Sequence, residues 1–353
     1  MERQPVQFLS RDLPALLKDA REVVGAFVGA EAKDIGFVPN ATTGVNTVLR
    51  SLRFEPGDEL LTTDHTFNAC RNAPELVAEI HGAKVVTARV PFPIGSEDEV
   101  VSAVLDRVTS RTRLALLDHV TSPTALVFPI ERLVGELLAR GVETLVDGAH
   151  APGMVDFQLV KMGVAYYTGN GHKWLCSPKG AAFLYVRPDL QGNVSPLTIS
   201  HGANAMLNGR SRFEAEFAWT GTADPTAYLC LAESIRYVGS LLPGGWTEVR
   251  ASNRAKAILG RRVLLQRIEL EAPCPESMLG SIASIILPGR GADDPNPVAF
   301  SDPLQGRLVV KHGIEVPVFA FGDPPQRLQR ISAQLYNEVG EYERLAEALL
   351  AEL

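Results

Sequence analysis

The chain has 353 residues, 46% of them hydrophobic and 21% charged, enough for one large α/β domain with a smaller companion and free of any disordered bias. A formal net charge of −7 argues against nucleic acid as the main partner, and no apolar run approaches the roughly 18 residues of a membrane helix. The charged, Pro-interrupted start Met1-Glu-Arg-Gln-Pro5 is wrong for a secretion signal, and Cys70, Cys176, Cys230 and Cys274 form no Cys-x-x-Cys pair, so neither a zinc site nor a disulfide framework is expected and the default compartment is cytoplasmic.

The first predicted element is an amphipathic helix over residues 11–29, where Leu13, Leu16, Leu17, Ala20, Val23, Val24 and Phe27 recur at helical spacing. Short β-rich runs then alternate with helical stretches. Strands are predicted at Ile35–Val38, Glu59–Thr62, Lys84–Arg89, Arg113–Asp118, Glu143–Asp147, Ala165–Thr168 and Ala181–Val186. Helices are predicted between them at Thr43–Leu52, Asn68–His81, Glu97–Arg107 and Ile130–Arg140. Such alternation implies a mostly parallel sheet covered on both faces.

After about residue 230 the pattern changes. A helix over 225–242 breaks at Pro243-Gly-Gly-Trp246, and a second helix runs over Thr247–Leu265. Short strands near Gly280–Leu287 and Arg307–Lys311 follow, and a helix over Pro324–Leu353 closes the chain. The expected organisation is an N-terminal helical segment (1–24), a large α/β domain (25–235) and a small α+β domain (236–353).

Ligands of open α/β sheets bind beyond the carboxyl ends of the strands. Three polar clusters fall at such places. Asn40-Ala41-Thr42-Thr43-Gly44 opens a helix, where hydroxyls and free amides make either a phosphate cradle or an ordinary N-cap. Asp147, in Val146-Asp147-Gly148-Ala149-His150, ends an apolar strand, where a carboxylate pairs with a protonated ring nitrogen or caps the next helix. Lys173, in Thr168-Gly-Asn-Gly-His-Lys173-Trp174, stands behind a Gly-rich turn. Buried, such a lysine has a depressed pKa and forms an imine with a carbonyl; exposed, it is a plain loop residue.

The combination carries more than its parts. Pyridoxal 5′-phosphate (PLP) needs an anchor for its phosphate, an acid partner for its pyridine nitrogen and an amine for its aldehyde. Those parts occur here in that order, with the lysine 26 residues after the aspartate (147 to 173). With Phe37-Val-Pro-Asn-Ala-Thr-Thr-Gly-Val-Asn46, Asp147-Gly-Ala-His150, Gly171-His-Lys173-Trp174 and Trp219-Thr-Gly-Thr-Ala-Asp-Pro225, the chain resembles the class V aminotransferase superfamily of PLP enzymes. Within it, the resemblance is to the isopenicillin-N-epimerase-like branch, over about residues 25–340.

The resemblance implies an aspartate-aminotransferase-like fold (fold type I), with PLP held by the large domain, and a homodimer with shared active sites. It further implies a small amino-acid substrate, with no nucleic-acid, membrane or metal partner. Ala41 and Thr42, with Thr43 beside them, would bind the cofactor phosphate, which His172 would also reach; Asn170 stands where many relatives have Ser. Asp147 would pair with the pyridinium nitrogen, and His150 and Ser122 would lie near the phenolic oxygen. His65 would stack on the ring, with Phe67 as its rival. Thr222 would reach the phosphate of the neighbouring subunit, and Arg330 would hold the substrate α-carboxylate, for which a guanidinium fork is suited.

Lys173, displaced from the cofactor by the substrate amine, would then remove the Cα proton. Epimerisation, loss of a sulfur group as in cysteine desulfhydrase or sulfoxide lyase, and transamination are the expected alternatives after that step. Two departures from the family pattern bear on them. Relatives carry a further N-terminal segment with an Asn-His-Gly-Ser-like turn, so an impaired relative lacking one wall of the site is a further alternative. Cysteine desulfurases carry a nucleophilic Cys about 30 residues before the carboxylate-binding arginine, and Pro297–Arg307 holds none. A Rossmann dehydrogenase, a zinc hydrolase and a P-loop enzyme are excluded by missing Gly-x-Gly-x-x-Gly, His-Glu-x-x-His and Gly-Lys-Ser/Thr signatures.

Overall fold

The computed structural model describes residues 2–290 and 302–353. Seven strands form the main sheet: β1 (Ile35–Val38), β2 (Glu59–Thr63), β3 (Lys84–Ala88), β4 (Thr112–Asp118), β5 (Glu143–Asp147), β6 (Tyr166–Asn170) and β7 (Ala182–Val186). Their order is β1-β7-β6-β5-β4-β2-β3. Strands β3, β2, β4, β5 and β6 are parallel, and β7 runs antiparallel between β6 and β1. Two antiparallel steps restore the direction, so β1 ends at the same edge of the sheet as β4, β5 and β6.

The strands read as apolar runs because both faces are covered. Along β4, Leu114 and Leu116 enter one core while Ala115 and Leu117 enter the other, as the two-residue period requires. The first core also takes Leu145 of β5 and Tyr166 of β6, under helices α2 (Ala41–Ser51) and α3 (Asn68–His81). Continuing that alternation, Asp118, Asp147, Thr168 and Asn170 leave the strand ends on the α2–α3 face. The opposite face is covered in part by α1 (Leu13–Val28), α4 (Glu97–Leu105) and α5 (Ile130–Leu138). These elements match the patterning to within a few residues; β6 runs on to Asn170, two residues past the predicted end.

Beyond the main sheet lie α6 (Thr226–Gly239), α7 (Gly245–Ile268) and a three-stranded antiparallel sheet, β8-β10-β9, made of β8 (Ile282–Arg290), β9 (Val318–Phe321) and β10 (Gln326–Ser332). Two expectations fail here. Arg307–Lys311, predicted as a strand, lies in α8 (Pro303–His312). Asp302 caps that helix by accepting from the Leu304 amide at 2.9 Å, Pro303 opens it, Gly313 closes it with a φ of +63°, and Leu304 and Leu308 bury one face. The predicted helix over Pro324–Leu353 is a strand and then a helix: β10 fills the centre of the small sheet, and α9 starts only at Val339, behind a Glu338–Glu341 capping box. Pairing with β8 on one side and β9 on the other fixes this segment as a strand.

Candidate active site

The site begins at the amino end of α2. Asn40 caps the helix, its Oδ1 accepting from the Thr43 amide at 2.8 Å and from the Thr43 hydroxyl at 3.0 Å. The Ala41 amide donates to Asn170 Oδ1 at 2.9 Å, tying the helix end to the end of β6. Gly44 permits this approach, since a Cβ there would lie 2.2 Å from Thr168 Oγ1.

Strands β4, β5 and β6 end in step, with Asp118 paired to Asp147 and Asp147 to Thr168. Two carboxylates and Asn170 therefore converge on a narrow cleft of about 40 Å³, also lined by Ala41, Thr42, Phe67, Val120, Ser122, Ala149, His150 and Lys173. Asp147 accepts from the Ala149 amide at 3.0 Å and lies beside the buried Cys70 thiol, which burial and that carboxylate push up. Burial, reinforced by Asp147, pushes the Asp118 carboxyl well above the usual range, and its Oδ2 is buried without a hydrogen-bond partner.

Lys173 Nζ lies 2.9 Å from His150 Nε2. Burial pulls the amine down to about 8; Asp147 opposes this shift and Arg330 adds to it. Burial, with Lys173 and Arg330 nearby, holds His150 well below the usual imidazole range, so the ring is neutral at pH 7.

Arg330 arrives from the small sheet on β10, not from the helix predicted over Pro324–Leu353. It pairs with Ser284 of β8, whose hydroxyl donates to the Pro123 carbonyl at 2.7 Å, while Arg330 Nη1 donates to the Ser122 carbonyl and to Ser122 Oγ at 3.1 Å. The two strands thus grip one turn at the rim of the cleft. Among the described residues no carboxylate lies within ion-pair distance of Arg330, its Nε is buried without a partner, and burial lowers it to about 10.

Of the residues singled out in the sequence, the cleft collects Ala41, Thr42, Ser122, Asp147, His150, Asn170 and Lys173. Thr43 instead spends its amide and hydroxyl on the cap, which is the plain N-cap alternative. His65 does not line the cleft. It is fully buried, with ring nitrogens 2.7 Å from Thr124 Oγ1 and 3.0 Å from the Val90 carbonyl, among Phe92, Phe128 and Phe321. Its rival Phe67, 39% exposed, forms the wall. His172 turns its Nδ1 to the Ala181 carbonyl at 3.2 Å, outside the lining, and Thr222 is exposed and apart from it. Asp118 was missed, although the strand-end argument that selected Asp147 applies equally to the last residue of Arg113–Asp118.

The model of the family described as "Aminotransferase class-V" matches residues 4–294. The chain belongs to that family. It is 34% identical to the isopenicillin N epimerase of Streptomyces clavuligerus, over 98% of this chain and 87% of that protein. It is 31% identical to a probable chloroplastic L-cysteine desulfhydrase of Arabidopsis thaliana, over 98% of this chain and 76% of that one. Among solved structures, a cysteine desulfurase of Escherichia coli superposes with a TM-score of 0.77 at 20% identity, covering 97% of this chain and 84% of the other. This class V chain therefore has the fold of the PLP enzymes of fold type I, and no helix among its described residues is long and apolar enough to cross a membrane.

Proposed function

We propose that this chain is a PLP enzyme working at Cα of a small amino acid, as an epimerase or as a C–S lyase. One observation carries the reading: a lysine whose pKa burial lowers and a strand-end carboxylate line one cleft, with the Arg330 guanidinium bonded to the Ser122 turn at its rim. The names of the two relatives, an epimerase and a desulfhydrase, support the two reaction branches.

The side chains fit the cofactor. Ala41 and Thr42 at the positive end of α2, with Asn170, would hold its phosphate, and Asp147 its pyridine nitrogen. Ser122 and His150 would face its phenolic oxygen, Phe67 a ring face, and Lys173 its aldehyde. Bound there, PLP supplies an electron sink for the charge left when Cα loses a proton. Lys173, with its pKa lowered by burial, is suited to take that proton near neutral pH. The Arg330 guanidinium, which meets no carboxylate among the described residues, would hold the substrate carboxylate.

The test is to incubate the PLP-loaded protein with a panel of amino acids and follow α-proton exchange, enantiomers, keto acids, alanine and sulfide. Racemised substrate identifies the epimerase branch; keto acid with sulfide identifies the lyase branch. From cysteine we expect free sulfide and no alanine, because a desulfurase needs a thiolate to carry sulfur away. Cys274, the cysteine nearest before Arg330, is buried with its thiol pushed up, and Arg261 Nη1 lies 3.3 Å from its sulfur. Residues 297–301 of the cysteine-free stretch lie outside the described residues. Alanine as the main product, with a persulfide on any cysteine, would sink the lyase reading; an amino donor turned to keto acid without sulfide would favour transamination.

We also propose a cytoplasmic homodimer with shared sites and a division into large and small domains near residue 235. The exposed Gly221-Thr222 turn and four unpaired cysteines support the first part, and the separate three-stranded sheet supports the second. Mixing a Lys173→Ala chain with a Thr222→Glu chain should then recover activity, because one site of each heterodimer is intact. A fully active monomer in sedimentation would contradict the shared site.

A further inference from the structure

Trp174 follows Lys173 directly, and its ring is buried. An indole nitrogen can only donate a hydrogen bond. It donates to His150 Nδ1 at 3.4 Å. A neutral imidazole that accepts at Nδ1 carries its proton on Nε2. That second nitrogen lies 2.9 Å from Lys173 Nζ, so the Nε2–H is directed at the amine, which must accept. An uncharged amine has the lone pair to do so, whereas an ammonium has three donors and no acceptor. Charging Lys173 would set donor against donor, or force His150 to turn over and give up the indole.

We propose that Trp174 is a positioning residue that locks His150 in its Nε2–H tautomer and thereby favours the free amine of Lys173, the form that attacks a carbonyl, over its ammonium. The inference rests on the reading of Lys173 as the cofactor-bearing lysine and adds how this chain raises its uncharged fraction.

The charges around the amine make such a lock useful. Asp147 on β5 favours the ammonium, as Asp118 on β4 does when ionised, while Arg330 on β10 opposes it; the Cys70 thiol on α3, pushed up by burial, stays neutral. Among the described residues the charged groups that act on His150 are Lys173 and Arg330, and both disfavour a protonated ring. Asp147 would pull the lysine back toward its charged form. Burial outweighs it, and the indole–imidazole relay adds a directional preference of the same sign that burial alone lacks.

Two measurements test this. In cofactor-free protein labelled with 15N-histidine, long-range 15N–1H spectra should show His150 protonated on Nε2, its resonances assigned by their loss in His150→Gln. Protonation on Nδ1 overturns the inference without any substitution at Trp174. In the second, the rate at which cofactor-free protein captures added PLP is followed against pH. Trp174→Phe removes the N–H and keeps an aromatic ring. Loss of one hydrogen bond should move the midpoint of that profile up by about one pH unit, so that capture at pH 7 slows about tenfold. A Trp174 that merely packs would change the rate equally at every pH and leave the midpoint in place, which would also overturn the inference. The outcomes stand apart from the cofactor assignment: a pyridoxyl group mapped to another lysine would sink that assignment and leave the His150 tautomer as measured.

Discussion

Borohydride reduction of the PLP-loaded protein should fix a pyridoxyl group on Lys173, and Lys173→Ala should abolish both that label and turnover. The amine sits in the cleft with its pKa lowered to about 8, so about a tenth of it is uncharged at pH 7 without any external base, far more than for an ordinary lysine. Removing it takes away the covalent anchor and the base for the Cα proton together. Loss of a positioned general base alone costs on the order of 10²–10⁴ in rate, and the variant should fall at least that far. Peptide mapping decides the matter. Label on a different lysine, at full occupancy of the site, would remove Lys173 from the mechanism.

Asp147→Asn should keep the fold and bind PLP but lose on the order of 10²-fold or more in turnover. Asn preserves the shape and still accepts from the Ala149 amide, so the strand end and the following turn stay in place. What disappears is the negative charge. Asp147 is the carboxylate that the proposal sets against the pyridine nitrogen, and a neutral amide there cannot stabilise a proton on it. The measurement is kcat with PLP occupancy checked by absorbance. Turnover near that of the wild type, at equal occupancy, would mean that the nitrogen is served otherwise; Asp118, one strand away with a buried unpartnered oxygen, would then be the residue to examine.

Much of the seven-stranded sheet and its helices was legible because their signals are local. Glu143–Asp147 and Asn68–His81 begin and end as the patterning predicts, since an apolar run with both faces buried and an amphipathic helix ending at Gly82 each announce themselves in a few residues. The region of the three-stranded sheet was harder to read for the converse reason. The helix expected over Pro324–Leu353 begins as β10, which lies between β8 and β9, and pairing on both sides is not written in the segment itself. Arg307–Lys311 was misread in the opposite sense, because a short apolar run cannot be told from a helix segment without its caps at Asp302 and Gly313.

The sequence by itself determined the fold class and the placing of residues 40–43, Asp147 and Lys173 at one edge of the sheet, because strand ends and helix starts in an α/β sheet project to one edge whatever the details of packing. Only the tertiary structure decided between Phe67 and His65 as the cleft wall, brought Arg330 onto the Ser122 turn from a second sheet, and set Asp118 beside Asp147 through the strand register. It also turned the Trp174 indole onto His150. Those outcomes depend on which groups meet across elements far apart in the chain. Local patterning specifies which face a side chain leaves from, and long-range packing specifies what it meets there.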